Sequence, residues 1–165
     1  MTMTIRNPSD LDGIAIRLAR REDVARIAEL IMLGAAAPTQ TAEEIAAEAR
    51  HPDYARAFDE IEASPDNTLF VAERAGEVVG TFQVTIIPGL VARGRQRAKI
   101  ESVHVAPESR GAGIGAVMVR HALAFARERG AGLVELTSNK SRKDAHRFYR
   151  QLGFDQSHEG FKIVV

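Results

Sequence analysis

The sequence predicts one α/β (α+β) domain in which a mixed central sheet has helices on both faces. Its 165 residues are the length of a single domain, and a hydrophobic share of 45% with a charged share of 27% is typical of a globular chain. Segments whose apolar residues alternate are interspersed with segments whose apolar residues recur every three or four positions, as strands and helices require. Residues 1–12 are polar and mixed, so we expect a flexible tail there and the domain over residues 13–165.

The first half of the chain is predicted to hold one strand and three helices. Residues 14–18 alternate as a strand does, and residues 23–33 place their apolar side chains on one helical face. Thr41 with Glu44 has the form of a capping box, which predicts the start of a second helix. A third helical run, residues 53–63, ends before a Ser-Pro pair.

The second half is rich in strands. The turn Ala75-Gly76-Glu77 separates two apolar runs, which predicts a hairpin. The order of a strand, helices, a hairpin and then alternating strands and helices predicts a sheet with both parallel and antiparallel neighbours. The predicted strands are residues 68–73, 78–87, 98–105, 133–137 and 161–165, and the predicted helices are residues 114–129 and 142–152.

The residue counts exclude several classes of protein. Basic and acidic residues number 22 each, and this balance argues against a nucleic-acid binder. The absence of cysteine excludes a disulfide scaffold, a thiolate zinc site and a cysteine nucleophile, and the five histidines lack metal-ligand spacing, so no metal is expected. No apolar run is long enough for a membrane span and the first residues lack a signal peptide's apolar core, so we expect a cytoplasmic protein without a membrane partner.

Three glycines at alternate positions form the main chemical signal. The segment Arg110-Gly-Ala-Gly-Ile-Gly115 lies between a predicted strand and a predicted helix. Glycine lets a ligand approach the backbone, and the first amides of a helix carry its positive dipole end, so such a turn suits a phosphate. The sequence lacks the Lys and Ser/Thr of a P-loop, and its glycine spacing differs from the Rossmann fingerprint. A tight connection without a ligand stays open as the alternative.

Two motifs resemble the GNAT superfamily of N-acetyltransferases. The family's acyl-CoA signature is an Arg or Gln, two residues, Gly, one residue, and Gly or Ala, and Arg110, Gly113 and Gly115 match it. The resemblance covers about residues 68–165 and implies the GNAT fold, in which acetyl-CoA lies in a V-shaped splay between two neighbouring parallel strands. The second block, which is similar to the family's next motif, consists of Asn139, Ala145, Phe148-Tyr149 and Leu152-Gly-Phe154.

The resemblance also implies where acetyl-CoA would bind as a co-substrate. Backbone groups of one strand would pair with the pantetheine arm, the amides of the glycine turn would hold the pyrophosphate, and an asparagine would hydrogen-bond the pantetheine. For Phe148, which would line the path of the pantetheine, core packing stays open. The implied positions are Val103, Val105, Arg110, Gly111, Ala112, Gly113, Ile114, Gly115, Ala116, Asn139, Ala145 and Phe148.

Glu101 is the candidate general base. Alternation along its strand places Glu101 on the face of Val103 and Val105, with His104 facing away. The resemblance implies a base at this point of the strand, because many family members place one there. A glutamate that is paired with a basic neighbour such as Lys99 stays open as the alternative.

The reaction implied by the resemblance is acetyl transfer from acetyl-CoA to an amine of a small molecule, by direct attack in a ternary complex. Tyr149 would protonate the departing CoA thiolate; a half-buried tyrosine with a bonded hydroxyl is its structural alternative. Acetylation of protein lysines or N-termini and a non-catalytic acyl-CoA-binding module stay open as other functions. Family members often dimerise, so a homodimer is expected.

Two charged stretches favour opposite kinds of acceptor. Residues 41–63 are rich in Asp and Glu and would attract a cationic amine. Residues 93–99 form a basic window that would attract an acidic substrate, although a solvated surface loop is the simpler interpretation. The sequence does not decide between these charges. The basic window consists of Arg93, Arg95, Arg97 and Lys99.

Overall fold

The computed structural model describes residues 13–34 and 39–165, so the tail predicted for residues 1–12 lies outside the described chain. Most of its helices and strands coincide with the predicted ones. The strands are β1 (Ile14–Leu18), β2 (Asn67–Arg74), β3 (Glu77–Ile87), β4 (Arg97–Val105) and β5 (Leu133–Leu136). The helices are α1 (Val24–Leu33), α2 (Ala42–Glu48), α3 (Pro52–Ala63), the single turn α4 (Val91–Gly94), α5 (Ile114–Glu128) and α6 (Lys143–Gln151).

The described strands form one sheet in the order β1-β2-β3-β4-β5. Neighbours from β1 to β4 are antiparallel, whereas β5 runs parallel to β4, so the predicted mixed sheet is confirmed. The hairpin between β2 and β3 turns at Ala75 and Gly76, which both have a positive φ, as a two-residue type I′ turn requires. The predicted hairpin is therefore confirmed as well.

The strand predicted at residues 161–165 is wrong. This segment has no regular secondary structure, and the side chains of Phe161 and Ile163 are 93% and 87% exposed. Its apolar residues alternate with the period of a strand, but a strand also needs a neighbour whose N–H and C=O groups complete the ladder. No strand in the described part of the chain pairs with it.

Helices pack on both faces of the sheet. One face carries Phe70 and Phe82, whose rings stack with centroids 4.9 Å apart, and α5 covers them. From α5, His121 and Phe125 each make an edge-to-face contact with Phe70 at 5.1 Å between centroids. On the other face the end of α1 is so close to β4 that a Cβ atom on Gly34 would lie 1.9 Å from Nδ1 of His104. The helix α1 therefore covers the face that His104 occupies.

The described chain divides into two compact units, one that ends at Glu135 and one that spans Leu136–Val165. The first unit contains β1 to β4, most of β5, and the helices α1 to α5. The second contains α6 and the segment that follows it. One domain over residues 13–165 stays a prediction. Among the described residues, no helix has the length and apolar character needed to cross a membrane.

Candidate active site

An irregularity in β4 determines which of its side chains share a face. Glu101 pairs with Gln83 and His104 pairs with Thr81, so two residues of β4 oppose a single residue of β3 between these pairs. Ser102 lies in this interval with a φ of 51°, in the left-handed region, and is the additional residue of a β-bulge. The alternation of β4 is therefore shifted by one residue at this point.

The bulge changes the predicted arrangement of side chains. Residues paired across an antiparallel ladder project to the same side of the sheet, so Glu101 and His104 share one face. Val105 pairs with Gly80 and lies on the opposite face, as does Val103 two residues before it. The prediction that Glu101 shares the face of Val103 and Val105, with His104 turned away, is therefore wrong.

Glu101 forms an ion pair on its own strand. Its Oε1 atom lies 2.9 Å from Nζ of Lys99, and the two side chains are 42% and 33% exposed. The pairing with Lys99 that the sequence left open is thus present. A carboxylate has two oxygens, so the pair leaves the second oxygen of Glu101 for a hydrogen bond with an amine.

Polar side chains continue around this ion pair on the same face of the sheet. Thr85 is directly opposite Lys99 in the ladder, and Gln83 is directly opposite Glu101. The Oδ1 atom of Asn67 accepts hydrogen bonds from Nε2 of Gln83 at 3.1 Å and from Oγ1 of Thr85 at 2.7 Å. We call Asn67, Gln83, Thr85, Lys99 and Glu101 the polar floor. Asn67, Gln83 and Thr85 are held by their hydrogen bonds to one another, and the Lys99–Glu101 pair is partly exposed to solvent.

The glycine turn presents a run of amide donors. Gly111 and Gly113 both have a φ of 79°, and Gly113 is the N-cap of α5. The amides of Arg110 and Ala116 donate to the carbonyl oxygens of Pro107 and Gly113 at 3.3 and 3.1 Å. The amides of residues 111–115 have no acceptor among the described residues. They lie at the positive end of the α5 dipole, which suits an anion.

The Arg110 side chain hydrogen-bonds the backbone of two neighbouring elements, β4 and α1. Its Nε atom donates to the carbonyl oxygen of Val105 at 3.1 Å, and its Nη2 atom donates to that of Leu33 at 3.3 Å. The side chain therefore joins the turn to the end of β4 and to the last residue of α1. A guanidinium has five N–H donors, so it retains others for a phosphate.

The second unit contains the other predicted binding residues. Oδ1 of Asn139 accepts from the backbone N and the Oγ of Ser141 at 3.0 and 2.9 Å, and its carbonyl oxygen is 2.9 Å from Nε2 of His146. The amide oxygen is occupied by Ser141, so the side chain of Asn139 is left with its Nδ2 group, which would donate to a ligand. Ala145 and Phe148 are half-buried and three positions apart on α6, so they lie on one side of that helix.

Tyr149 lies in an aromatic cluster within the second unit. Its ring makes edge-to-face contacts with Phe148 and Phe154, at 5.1 and 5.9 Å between centroids. Burial raises the pKa of the Tyr149 phenol above its usual value, and the positive charge of Arg142 opposes only part of that rise. The phenol is therefore protonated at neutral pH and retains a proton to donate.

Ion pairs neutralise part of the charge in each of the two stretches that the sequence singled out. In the basic window, Arg97 pairs with Glu135 at 3.2 Å and Lys99 pairs with Glu101. Several acidic residues of α3 are paired with arginines in the same way. These pairs are Asp53–Arg56, Glu60–Arg56 and Asp59–Arg21. The basic and acidic stretches still favour opposite kinds of acceptor, so they do not select one. No group of three or more His, Asp or Glu side chains suited to a metal occurs in the described ranges.

Comparison with known proteins identifies the family. Residues 36–154 match the model of the acetyltransferase (GNAT) family, which is more than half of the chain. The chain therefore belongs to this family. It is a GNAT-type N-acetyltransferase, an enzyme that transfers acetyl groups to amines.

Individual relatives and solved structures match different shares of the chain. Aminoalkylphosphonate N-acetyltransferase of Salmonella typhimurium is 32% identical over 154 residues, which cover 88% of this chain and 97% of that protein. Streptothricin acetyltransferase of Streptomyces lavendulae is 42% identical over 90 residues, 54% of this chain, but the chain spans only 45% of that relative. The crystal structure of a transcriptional regulator from Bacillus halodurans C-125 has a TM-score of 0.84 and 39% identity, over 92% of this chain and 99% of that one.

Proposed function

We propose that this N-acetyltransferase transfers the acetyl group of acetyl-CoA to an amine of a small molecule, by direct attack in a ternary complex. The observation that carries the proposal is the run of amides at residues 111–115, which lack acceptors among the described residues of a GNAT-family chain. Backbone donors at a helix N-terminus suit the pyrophosphate of CoA. The aminoalkylphosphonate N-acetyltransferase of Salmonella typhimurium, which is matched over 97% of its length, is named for a small amine, and this supports an acceptor of that size.

The remaining contacts with acetyl-CoA follow the strand and the helix. In this proposal the backbone of Val103 and Val105 pairs with the pantetheine arm, as an added strand would. The Nδ2 atom of Asn139 donates to the pantetheine, because its Oδ1 atom is engaged by Ser141. Ala145 and Phe148 line the path to the thioester.

The chemistry needs one proton acceptor and one proton donor. The amine nitrogen attacks the thioester carbonyl carbon, so that a C–N bond forms and the C–S bond breaks. Glu101 accepts the proton that the nitrogen loses, and the Tyr149 hydroxyl donates a proton to the leaving thiolate. The products are the N-acetyl amide and CoA thiol, and the proton on Glu101 returns to Tyr149 through solvent. Neither a metal nor a covalent enzyme intermediate takes part, and positioning of the two substrates supplies most of the rate.

A calorimetric titration with acetyl-CoA tests the cofactor site. We expect micromolar binding by the natural protein and none by Gly113→Trp, because the new side chain fills the phosphate turn. Gly130→Trp is the matched control, since Gly130 has a φ of 83° at the other end of α5, roughly 25 Å away. Equal loss of binding in both variants would contradict the assignment of the turn.

Turnover tests the transferase step. Release of CoA thiol is measured with a panel of small amines and with a lysine-containing peptide. We expect thiol release with small amines, each matched by an acetylated product. Acetyl-CoA binding without thiol release from any amine would contradict the proposed reaction, and faster acetylation of the peptide than of every small amine would contradict the substrate size.

A further inference from the structure

We infer that the acceptor is an amine that also carries an anionic group, and that Lys99 is the residue that binds this anion. The inference rests on the proposed function, since it names the substrate class for the same site. It starts from the polar floor, which occupies one face of β2, β3 and β4. On the opposite face, the neighbouring residues Val84 and Ile100 are buried in an apolar core.

The position of Lys99 relative to Glu101 supports this substrate class. Their charged atoms are 2.9 Å apart, on the same face of β4 and two residues from each other. The other arginine or lysine of β4, Arg97, is paired with Glu135 on the neighbouring strand β5. Lys99 is therefore the cation that accompanies the proposed base, and any acceptor amine that reaches Glu101 also comes close to the Lys99 ammonium group.

The charges of the pair distinguish between classes of amine. A simple alkyl amine that binds to Glu101 displaces Lys99 or shares the carboxylate with it, and it offers nothing to the displaced ammonium group. An amine with a carboxylate, phosphonate or phosphate exchanges one internal ion pair for two ion pairs with the substrate. A Lys99 ammonium group that is left without a partner opposes binding, so the site selects against the simple amine.

The other residues of the polar floor leave the Lys99–Glu101 pair available for this exchange. Thr85 and Gln83, opposite Lys99 and Glu101, donate hydrogen bonds to Asn67 and are therefore engaged away from the two charged side chains. Both charged side chains are partly exposed, so a substrate can reach them. The pair therefore presents a cation and an anion that complement the two charges of a small zwitterion.

Matched substrates test the inference. The kcat/KM values for 2-aminoethylphosphonate and β-alanine are compared with that for n-propylamine, which has a similar length but no anion. We expect the two zwitterions to be favoured by about 10- to 100-fold, the range of one charge-assisted hydrogen bond. Equal kcat/KM values for all three would overturn the inference and leave the acetyltransferase activity intact.

Variants of Lys99 connect the preference to this residue. Lys99→Met keeps the length of the side chain, and we expect it to reduce the ratio of zwitterion to n-propylamine toward one, through KM for the zwitterion. Lys99→Glu is expected to reverse the selection, in favour of 1,3-diaminopropane. Arg93→Gln is the matched control, because it removes the same charge from an exposed position of the basic window and should keep the ratio of the natural protein.

The outcomes separate this inference from the proposed function. A ratio that stays unchanged in Lys99→Met shows that another group binds the anion. Acetyl-CoA binding without turnover of either zwitterion rejects this substrate class, and loss of acetyl-CoA binding rejects the proposed function as well. Loss of the preference in Arg93→Gln to the same degree as in Lys99→Met would show a general effect of charge and would also overturn the inference.

Discussion

At the scale of single residues, Glu101 and Tyr149 meet chemical demands of different size. An alkylammonium group with a pKa near 10.4 is neutral in only about one molecule in 10³ to 10⁴ at pH 7, so the nucleophilic amine costs about 4–5 kcal/mol to reach. A thiol with a pKa near 8.5 is already a fair leaving group. Removal of the amine proton is therefore the larger demand, and the proposed mechanism assigns it to Glu101.

Substitution of the two groups is expected to show this difference. Glu101→Gln should lower kcat/KM at pH 7 by about 10²- to 10⁴-fold, the usual contribution of a general base, and Tyr149→Phe should lower it by less. The loss in Glu101→Gln should shrink at pH 9, where more of the amine is already neutral. Steady-state rates at both pH values provide the measurement. Equal losses in the two variants that do not change between pH 7 and pH 9 would contradict the base assignment.

The environment of Tyr149 predicts the alkaline side of the pH profile. Burial raises the pKa of this phenol from its usual value of 10.0, with a smaller opposing effect of Arg142, so most of Tyr149 stays protonated up to that pH. In the natural protein kcat should therefore not decline between pH 7 and about pH 10 through loss of the acid. A profile of kcat against pH, with stability checked at each point, measures this. A decline centred near pH 8 that disappears in Tyr149→Phe would contradict the direction of the shift.

At the scale of elements, the bulge in β4 determines the composition of the site. Without Ser102 in the left-handed region, strict alternation would place Glu101 among the side chains that α5 covers. The bulge instead places Glu101 and His104 together on the face that α1 covers. Arg110 holds the end of the same strand through the carbonyl oxygen of Val105. The part of the strand that follows the proposed base is therefore anchored at its end.

Substitution at Ser102 tests the strain at this bulge. Ser102 is exposed, so a change there alters the backbone conformation more than the packing. Ser102→Val should lower the free energy of unfolding by about 1–2 kcal/mol, because a β-branched residue is disfavoured at positive φ. Ser102→Gly is the control and should remain within about 1 kcal/mol of the natural protein. Urea unfolding at pH 7 measures both, and a valine variant as stable as the glycine variant would contradict the strain.

The bulge also shows where prediction from the sequence ends. Local signals were sufficient for the hairpin at Ala75-Gly76 and for the capping box of α2, in which Thr41 and Glu44 bond each other's backbone amides. A serine in a left-handed conformation has no such signature, so the shared face of Glu101 and His104 could not be predicted. The last predicted strand failed for a different reason, since periodicity specifies a face but not a partner.

At the scale of the whole molecule, a partly buried ion-pair network connects the first strand to the second strand and to the first helix. Arg17 on β1 donates from Nε to Oε2 of Glu73 on β2 at 2.8 Å, and from Nη1 and Nη2 to the carboxylate of Asp23 at 2.7 and 3.0 Å. Asp23, which directly precedes α1, also accepts from the backbone amide of Arg20 at 2.7 Å and is only 5% exposed. Arg17 therefore links three elements through two carboxylates.

The protonation of Asp23 connects this network to pH. Burial by itself would raise the pKa of Asp23, but hydrogen bonds from Arg17 and from the Arg20 amide outweigh it, so the pKa lies below the usual 3.8. A carboxyl whose pKa is lowered by folding stabilises the folded state above its unfolded pKa. That contribution is lost as the pH falls through the folded pKa. The network should therefore weaken in acid, below about pH 4.

Replacement of Asp23 by its neutral isostere is expected to remove both the stability and its pH dependence. Asp23→Asn removes the buried carboxylate that is the main partner of the partly buried Arg17, which should lower the free energy of unfolding at pH 7 by about 3 kcal/mol. The control is Asp59→Asn, since Asp59 pairs with Arg21 on the surface, where an ion pair contributes about 0.5 kcal/mol or less. Urea unfolding at pH 7 and pH 3 should give a smaller difference between Asp23→Asn and the natural protein at pH 3, because the natural carboxyl is itself becoming neutral. A difference of the same size at both pH values would mean that the Asn side chain destabilises the fold for steric or hydrogen-bonding reasons, and that the charge of Asp23 does not stabilise the network.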